Sequence, residues 1–222
     1  MNFSETVVFD QRQFNELRKL VREGEGLTLE FKRKAAHPNK VVREMIAFAN
    51  TEGGSLLIGV DDDGSIPGVK YPEEEMVVLT QSFQKHCRPS LFFSEWIIPI
   101  SDKRFVLRYD VPVSSGRPHF FVEDKDHKAC YVRVNDMTVK ASREVAEIVR
   151  RSKKKKDIRF AFGRVEKQLM EYPEQKDAIT LEEFRAIAGL NRFLAAKKLI
   201  LLVLANVLRI TPTEKGDYYS RI

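Results

Sequence analysis

Residues Glu25–Gly64 read EGLTLEFKRKAAHPNKVVREMIAFANTEGGSLLIGVDDDG, with strand, helix, turn and strand signals in direct succession. In LTLEFK, Leu27, Leu29 and Phe31 alternate with Thr28, Glu30 and Lys32. That period of two predicts a half-buried strand with Glu30 and Lys32 on its open face. His37-Pro38-Asn39 is a turn, with Asn39 expected to cap the helix that follows. Val42, Met45, Ile46 and Ala49 form that helix's apolar stripe. Gly53-Gly54 supplies a tight reversal. SLLIGV is a continuous apolar run, the pattern of a strand covered on both faces. Asp61-Asp62-Asp63-Gly64 closes it.

Outward from this block, Asp10 can cap a helix to about Arg22, with Phe14, Leu17 and Val21 at helical spacing. Gly24 and Gly26 break it. Downstream, a helix is expected over 73–86, then a pair of strands, IIPI and RFVLRYDV, within 91–113. HFFVED and ACYVRV read as two more strands, joined by Lys125-Asp126-His127-Lys128. Ser142 can cap the helix SREVAEIVRR, with Glu144 near its positive end.

The lysine run Lys153–Lys156 repels itself and solvates, and marks the expected domain boundary. DIRFAFGRVEKQLMEY follows as a linking helix. TLEEFRAIAGL and NRFLAAKKLILLVLANVL read as two helices around a Gly-containing turn. Leu208-Arg209-Ile210 and Asp217-Tyr218-Tyr219 read as a two-stranded wing. Helix, short turn, helix, wing is the order of a winged helix-turn-helix.

Bulk properties narrow the function classes. The chain of 222 residues carries 43% hydrophobic and 32% charged residues, the profile of a globular protein with a core. Its net charge is +6, unevenly spread. From Arg151 to the end there are 16 Lys and Arg against 9 Asp and Glu, whereas residues 1–150 balance to −1. Basic charge gathered in one part points to a polyanionic partner, nucleic acid before membrane; the bland reading is a solvated tail. The two cysteines, Cys87 and Cys130, imply neither a metal site nor a disulfide framework. No secretory signal or membrane segment is legible, so a cytoplasmic location is expected. His37, His86, His119 and His127 are scattered, which argues against zinc. Gly53-Gly54-Ser55 lacks the Gly-Lys-Ser/Thr of a phosphate-cradling loop, so ATP binding is not expected.

The segments EFK, FANTEGG, IGVDDDG, RPHF and YVRV with the following AS-R resemble the AlbA_2 domain of Schlafen proteins, also called divergent AAA-4, over roughly residues 20–150. The resemblance implies an α+β fold: a mixed β-sheet AlbA_2-like domain over 1–152, followed by a lysine-rich linker and a small winged-helix domain over 153–222. It further implies a prokaryotic DNA- or RNA-binding regulator of transcription, with DNA ahead of RNA and a homodimer reading paired half-sites. Eukaryotic members resemble endoribonucleases, and their site is similar to two Glu around the EFK strand plus an Asp after the GV strand. Glu25, Glu30 and Asp61 or Asp62 hold the matching positions. Mg²⁺ or Mn²⁺ would be required only under that alternative; otherwise neither metal nor cofactor is expected.

Phosphate binding needs Lys and Arg donors on an exposed face. The candidates are Lys32, Arg33, Lys34, Arg117, His119, Arg133 and Lys140 in the first domain, with Arg133 foremost, and Arg192, Lys197 and Lys198 on or near the second helix of the winged segment. Each alone also fits a solvated surface charge. LAAKKLILLVLANVL is very apolar and leaves few side chains to read base edges. Phe120-Phe121 could present a stacking ring, or serve the core.

Overall fold

The computed structural model describes residues 10–152, 163, 169 and 177–222. The lysine run and most of the expected linking helix lie outside the described residues. The chain divides into two compact units, Met1–Thr138 and Val139–Ile222. The sequence-based boundary at 152/153 sits later, because the lysine run is the more conspicuous break in composition.

The first unit is mixed α and β. Its elements are α1 (Gln11–Glu23), β1 (Leu29–Lys32), α2 (Pro38–Asn50), β2 (Gly54–Ile58), α3 (Pro72–His86), β3 (Cys87–Arg88), β4 (Ser94–Ser101), β5 (Arg104–Val111), β6 (Phe120–Val122) and β7 (Lys128–Val134). β8 (Met137–Lys140) carries the chain across the division. One sheet has the order β1-β2-β5-β4 and the other β3-β6-β7-β8. β1 runs parallel to β2, while β2–β5 and β4–β5 are antiparallel. The register of β4 on β5 shifts between Pro99 and Ser101.

β2 is covered on both faces, as its continuous apolar run requires. Leu56 and Ile58 join a core with Val42, Met45, Ile46 and Phe48 of α2 and Leu79 of α3. Leu57, with Leu29 and Phe31 of β1, packs instead against Leu17 and Val21 of α1. Asp10 caps α1 by accepting from the Arg12 amide at 2.8 Å. Asn39 does not cap α2: His37 holds that position and Pro38 the first turn, while the Asn39 side chain accepts from the Ser82 hydroxyl at 2.9 Å. Proline is suited there because the amide it lacks would have had no helical partner.

The Gly53-Gly54 reversal is set by close approach. A Cβ on Gly54 would lie 2.6 Å from the Phe48 ring and 2.7 Å from the Thr28 carbonyl oxygen. Gly54→Ala is therefore expected to destabilise the protein by roughly 1–3 kcal/mol, the usual result of overpacking. Urea denaturation checks this, and a midpoint equal to the parent's would refute the close packing.

The second unit continues with α4 (Arg143–Ser152), β9 (Ala178–Ile179), α5 (Leu181–Ala188), α6 (Arg192–Leu204), β10 (Leu208–Thr213) and β11 (Gly216–Arg221). Its three-stranded sheet has the order β10-β11-β9. Thr180 and Glu183 form a reciprocal capping box at the start of α5. Gly189 ends that helix at φ 62°, where glycine avoids the left-handed penalty. Asn191 then caps α6 by accepting from the Leu194 amide. Ala195, Leu199 and Leu202 of α6 pack with Phe184, Leu208 and Tyr219 in a separate core. Among the described residues no helix is long and apolar enough to cross a membrane.

Candidate functional site

β1 points Glu30 and Lys32 toward α2, and that face is closed rather than open. Glu30 is only 7% exposed. One carboxylate oxygen accepts from the Arg133 guanidinium of β7 at 2.8 Å, and the other is held by Lys32. Lys32 Nζ also lies 3.3 Å from Glu44 of α2. Arg133 is 4% exposed; it further donates to the Gly26 carbonyl and to Thr138, and its guanidinium stacks over Phe48. The result is a buried network of two acids and two bases, with Lys40 at its exposed rim 4.0 Å from Glu44. Among the described residues, one Glu44 oxygen and Arg133 Nε find no hydrogen-bond partner.

The electrostatics follow from burial. Burial pushes the Glu44 carboxyl up to about 7; Lys32 works against this and Glu30 adds to it. For Lys32, burial acts to lower the ammonium, but Glu44 and Glu30 outweigh it and hold the group above its ordinary value.

This placement corrects several expectations. Arg133 and Lys32 were expected on a phosphate-binding surface, but both are committed to carboxylates inside the unit. Alternation along a strand separates two faces but does not say what covers each. His119 is likewise buried, its ring nitrogens 2.9 Å from the Pro89 carbonyl and 2.6 Å from the Ser114 hydroxyl. Phe121 is core, stacked on His86 at 4.9 Å between ring centroids and capped by the Arg43 guanidinium. Arg33 and Lys34 are exposed, Arg33 standing 3.7 Å from Asp61; Lys140 is exposed and Arg117 half-buried.

The acidic candidates do not converge. Glu25 accepts from the Phe31 amide at 2.8 Å and so closes the turn into β1. Asp61 faces Arg33, and Asp62 is exposed. Among the described residues no three His, Cys, Asp or Glu side chains are grouped to hold a metal ion. With Glu30 neutralised by two cations, this donor set does not fit Mg²⁺ or Mn²⁺.

Two residues that sequence reasoning passed over hold the site together. Glu44 stands in helical line with the apolar Val41 and Phe48, which is the one signal that could have marked it. Asn50, the last residue of α2, is buried, and its amide donates to the His119 and Tyr131 carbonyls and accepts from the His119 amide at 2.8 Å. It ties the end of α2 to β7 and the chain entering β6.

In the second unit, α4 and α6 flank a groove of about 590 Å³ lined by Arg143, Glu144, Arg151, Arg192, Phe193 and Lys197, among others. Arg192 is held by Glu144 at 3.1 Å and by Glu182 at 3.5 Å. Lys197 is exposed and Lys198 half-buried. The Ser142 hydroxyl caps α4 and also donates to Asp217 of β11 at 2.5 Å.

The family model for Schlafen, AlbA_2, matches residues 25–142, just over half of the chain. The crystal structure of the DIP2311 protein from Corynebacterium diphtheriae is similar at a TM-score of 0.47 and 18% identity. That alignment covers 94% of this chain and 38% of that one, so this chain spans well under half of that protein's length.

Proposed function

The chain belongs to the Schlafen AlbA_2 family, and from that membership we propose that it binds nucleic acid and regulates transcription, gripping the phosphate backbone through its basic second unit. The observation that carries this reading is where the charge lies. From Arg151 onward 16 Lys and Arg face 9 Asp and Glu, while the preceding 150 residues carry a slight negative excess. Backbone phosphates are the commonest ligand for such a concentration of donors. The order α5, short turn, α6, β10–β11 hairpin supports reading the second unit as a winged helix-turn-helix. Two copies joined in a homodimer would double the phosphate contacts available to one.

The alternative, a metal-dependent endoribonuclease using Glu25, Glu30 and Asp61 or Asp62, has less support. Both Glu30 oxygens are already engaged by cations, and a carboxylate so paired is a poor metal ligand.

Incubation with labelled duplex DNA, single-stranded RNA and tRNA, across a salt series and with Mn²⁺ or chelator, tests the proposal. The expected result is retardation without cleavage, with affinity falling about 10- to 100-fold between 50 and 200 mM salt, the range for a few phosphate contacts. Absence of retardation at low salt refutes nucleic-acid binding. Metal-dependent cleavage abolished by Glu30→Ala, with folding intact, would instead make the protein a nuclease.

A further inference from the structure

We infer that the groove between α4 and α6 is a binding site for single-stranded nucleic acid, with a base stacked on Phe193 and the backbone held by Arg143, Arg151 and Lys197. This rests on the nucleic-acid reading above and specifies the form of ligand. The groove lies wholly beyond residues 25–142, so the family match does not place it.

The first argument is steric. In a winged helix-turn-helix the second helix enters the major groove of duplex DNA. Here Arg192, Phe193, Ala196, Lys197 and Ile200 of α6 share one groove with Arg143, Glu144, Glu147 and Arg151 of α4. The major groove of B-DNA is about 12 Å wide and takes a single helix, which is itself roughly 10–12 Å across with its side chains. With α4 alongside, this face of α6 has no room to enter. A narrower occupant, an extended strand, can lie between the two helices.

The second argument is chemical. Phe193 is 75% exposed in the first turn of α6. One exposed apolar side chain is ordinary on a protein surface, but this ring stands in a groove that also holds several cations. Arg143, Arg151 and Lys197 enter no salt bridge among the described residues. The two carboxylates in the groove are already engaged, Glu144 by Arg192 and Glu147 by Arg150, with the Arg151 charge also acting on Glu147. The charge left to meet a ligand is therefore positive. Ala196 and Ile200 contribute an apolar floor. A ring for base stacking beside donors for phosphate is the combination that single-strand binders use, and it reads little sequence because every base has a π-face.

The experiment is fluorescence anisotropy of the full chain with labelled single-stranded DNA, single-stranded RNA and duplex DNA of equal length. Single strands are expected to bind more tightly than duplex, and the two single-stranded arms separate ribose from deoxyribose preference. Phe193→Ala, at an exposed position, is expected to weaken single-strand binding roughly tenfold with little change in salt dependence. Arg143→Gln combined with Lys197→Gln is expected to lower the salt slope by about 1.4, the value for two phosphate contacts on a single strand. Wild-type binding that prefers duplex, or that Phe193→Ala leaves unaltered, overturns this inference while nucleic-acid binding stands. No binding by wild type to any of the three overturns the broader reading as well.

Discussion

Arg133→Met is expected to destabilise the first unit by about 3 kcal/mol, the cost of breaking a buried ion pair by removing one partner. The guanidinium bonds Glu30 at 2.8 Å, the Gly26 carbonyl at 2.6 Å and Thr138 at 3.1 Å. Its loss leaves the Gly26 oxygen without that donor and Glu30 with Lys32 alone. The persistence of Lys32 is why the expected cost sits at the low end of the range for buried pairs. In a domain of this size the shift in Tm should be about 10 °C. A companion variant separates loss of the cation from loss of packing. Arg133→Met with Glu30→Met removes both charges and leaves Lys32 facing Glu44, so much of the stability should return. Thermal and urea denaturation of the two variants and of Glu30→Met complete a double-mutant cycle. A single variant within about 1 kcal/mol of the parent would show the pair to behave like a surface salt bridge.

The second large effect concerns pH. Glu44 has a folded-state value of about 7 against an ordinary 4.5. The folded protein therefore holds a proton on this group that the unfolded chain has already released between those values. Its contribution favours the folded state at low pH and is lost as pH rises from about 4.5 to about 7, after which ionised Glu44 costs on the order of 3 kcal/mol. Lys32 opposes this, since its raised value favours the folded protein until pH passes through the ammonium range. Glu44→Gln keeps the size and an acceptor for Lys32 but removes the titration. The variant is expected to gain on the parent progressively from pH 5 to pH 8, by about 2 kcal/mol at the upper end. Urea midpoints at several pH values decide it. Parallel stability–pH curves for parent and variant would mean that Glu44 ionises normally.

Much of the architecture was legible because apolar period and punctuation agreed. LTLEFK and SLLIGV contain strands, RFVLRYDV and YVRV lie in strands, and Asp10, Ser142 and Gly189 mark helix ends by the chemistry their residue types supply. What covers a strand's second face is a long-range property, and there the reading went astray. Glu30 and Arg133 are 103 residues apart in the chain, and only the tertiary fold brings β1 and β7 together. The cap falls on His37 rather than Asn39 because the helix starts at Pro38, two positions earlier than the sequence suggests. The two-residue strands β3 and β9 carry too few positions to show a period. The α4–α6 groove was illegible for the same long-range reason, since Arg143 and Lys197 are well separated in sequence.

The outer strand β4 has a further consequence for how copies of the protein can associate. Pro99 lacks an amide to donate, and the register slips beside it, so the exposed border of the sheet is interrupted. At the opposite border β1 is only four residues long and ends in Lys32. Neither border offers a long, regular row of free amides and carbonyls. The sheet is thereby guarded against runaway edge-to-edge stacking during synthesis and at high concentration.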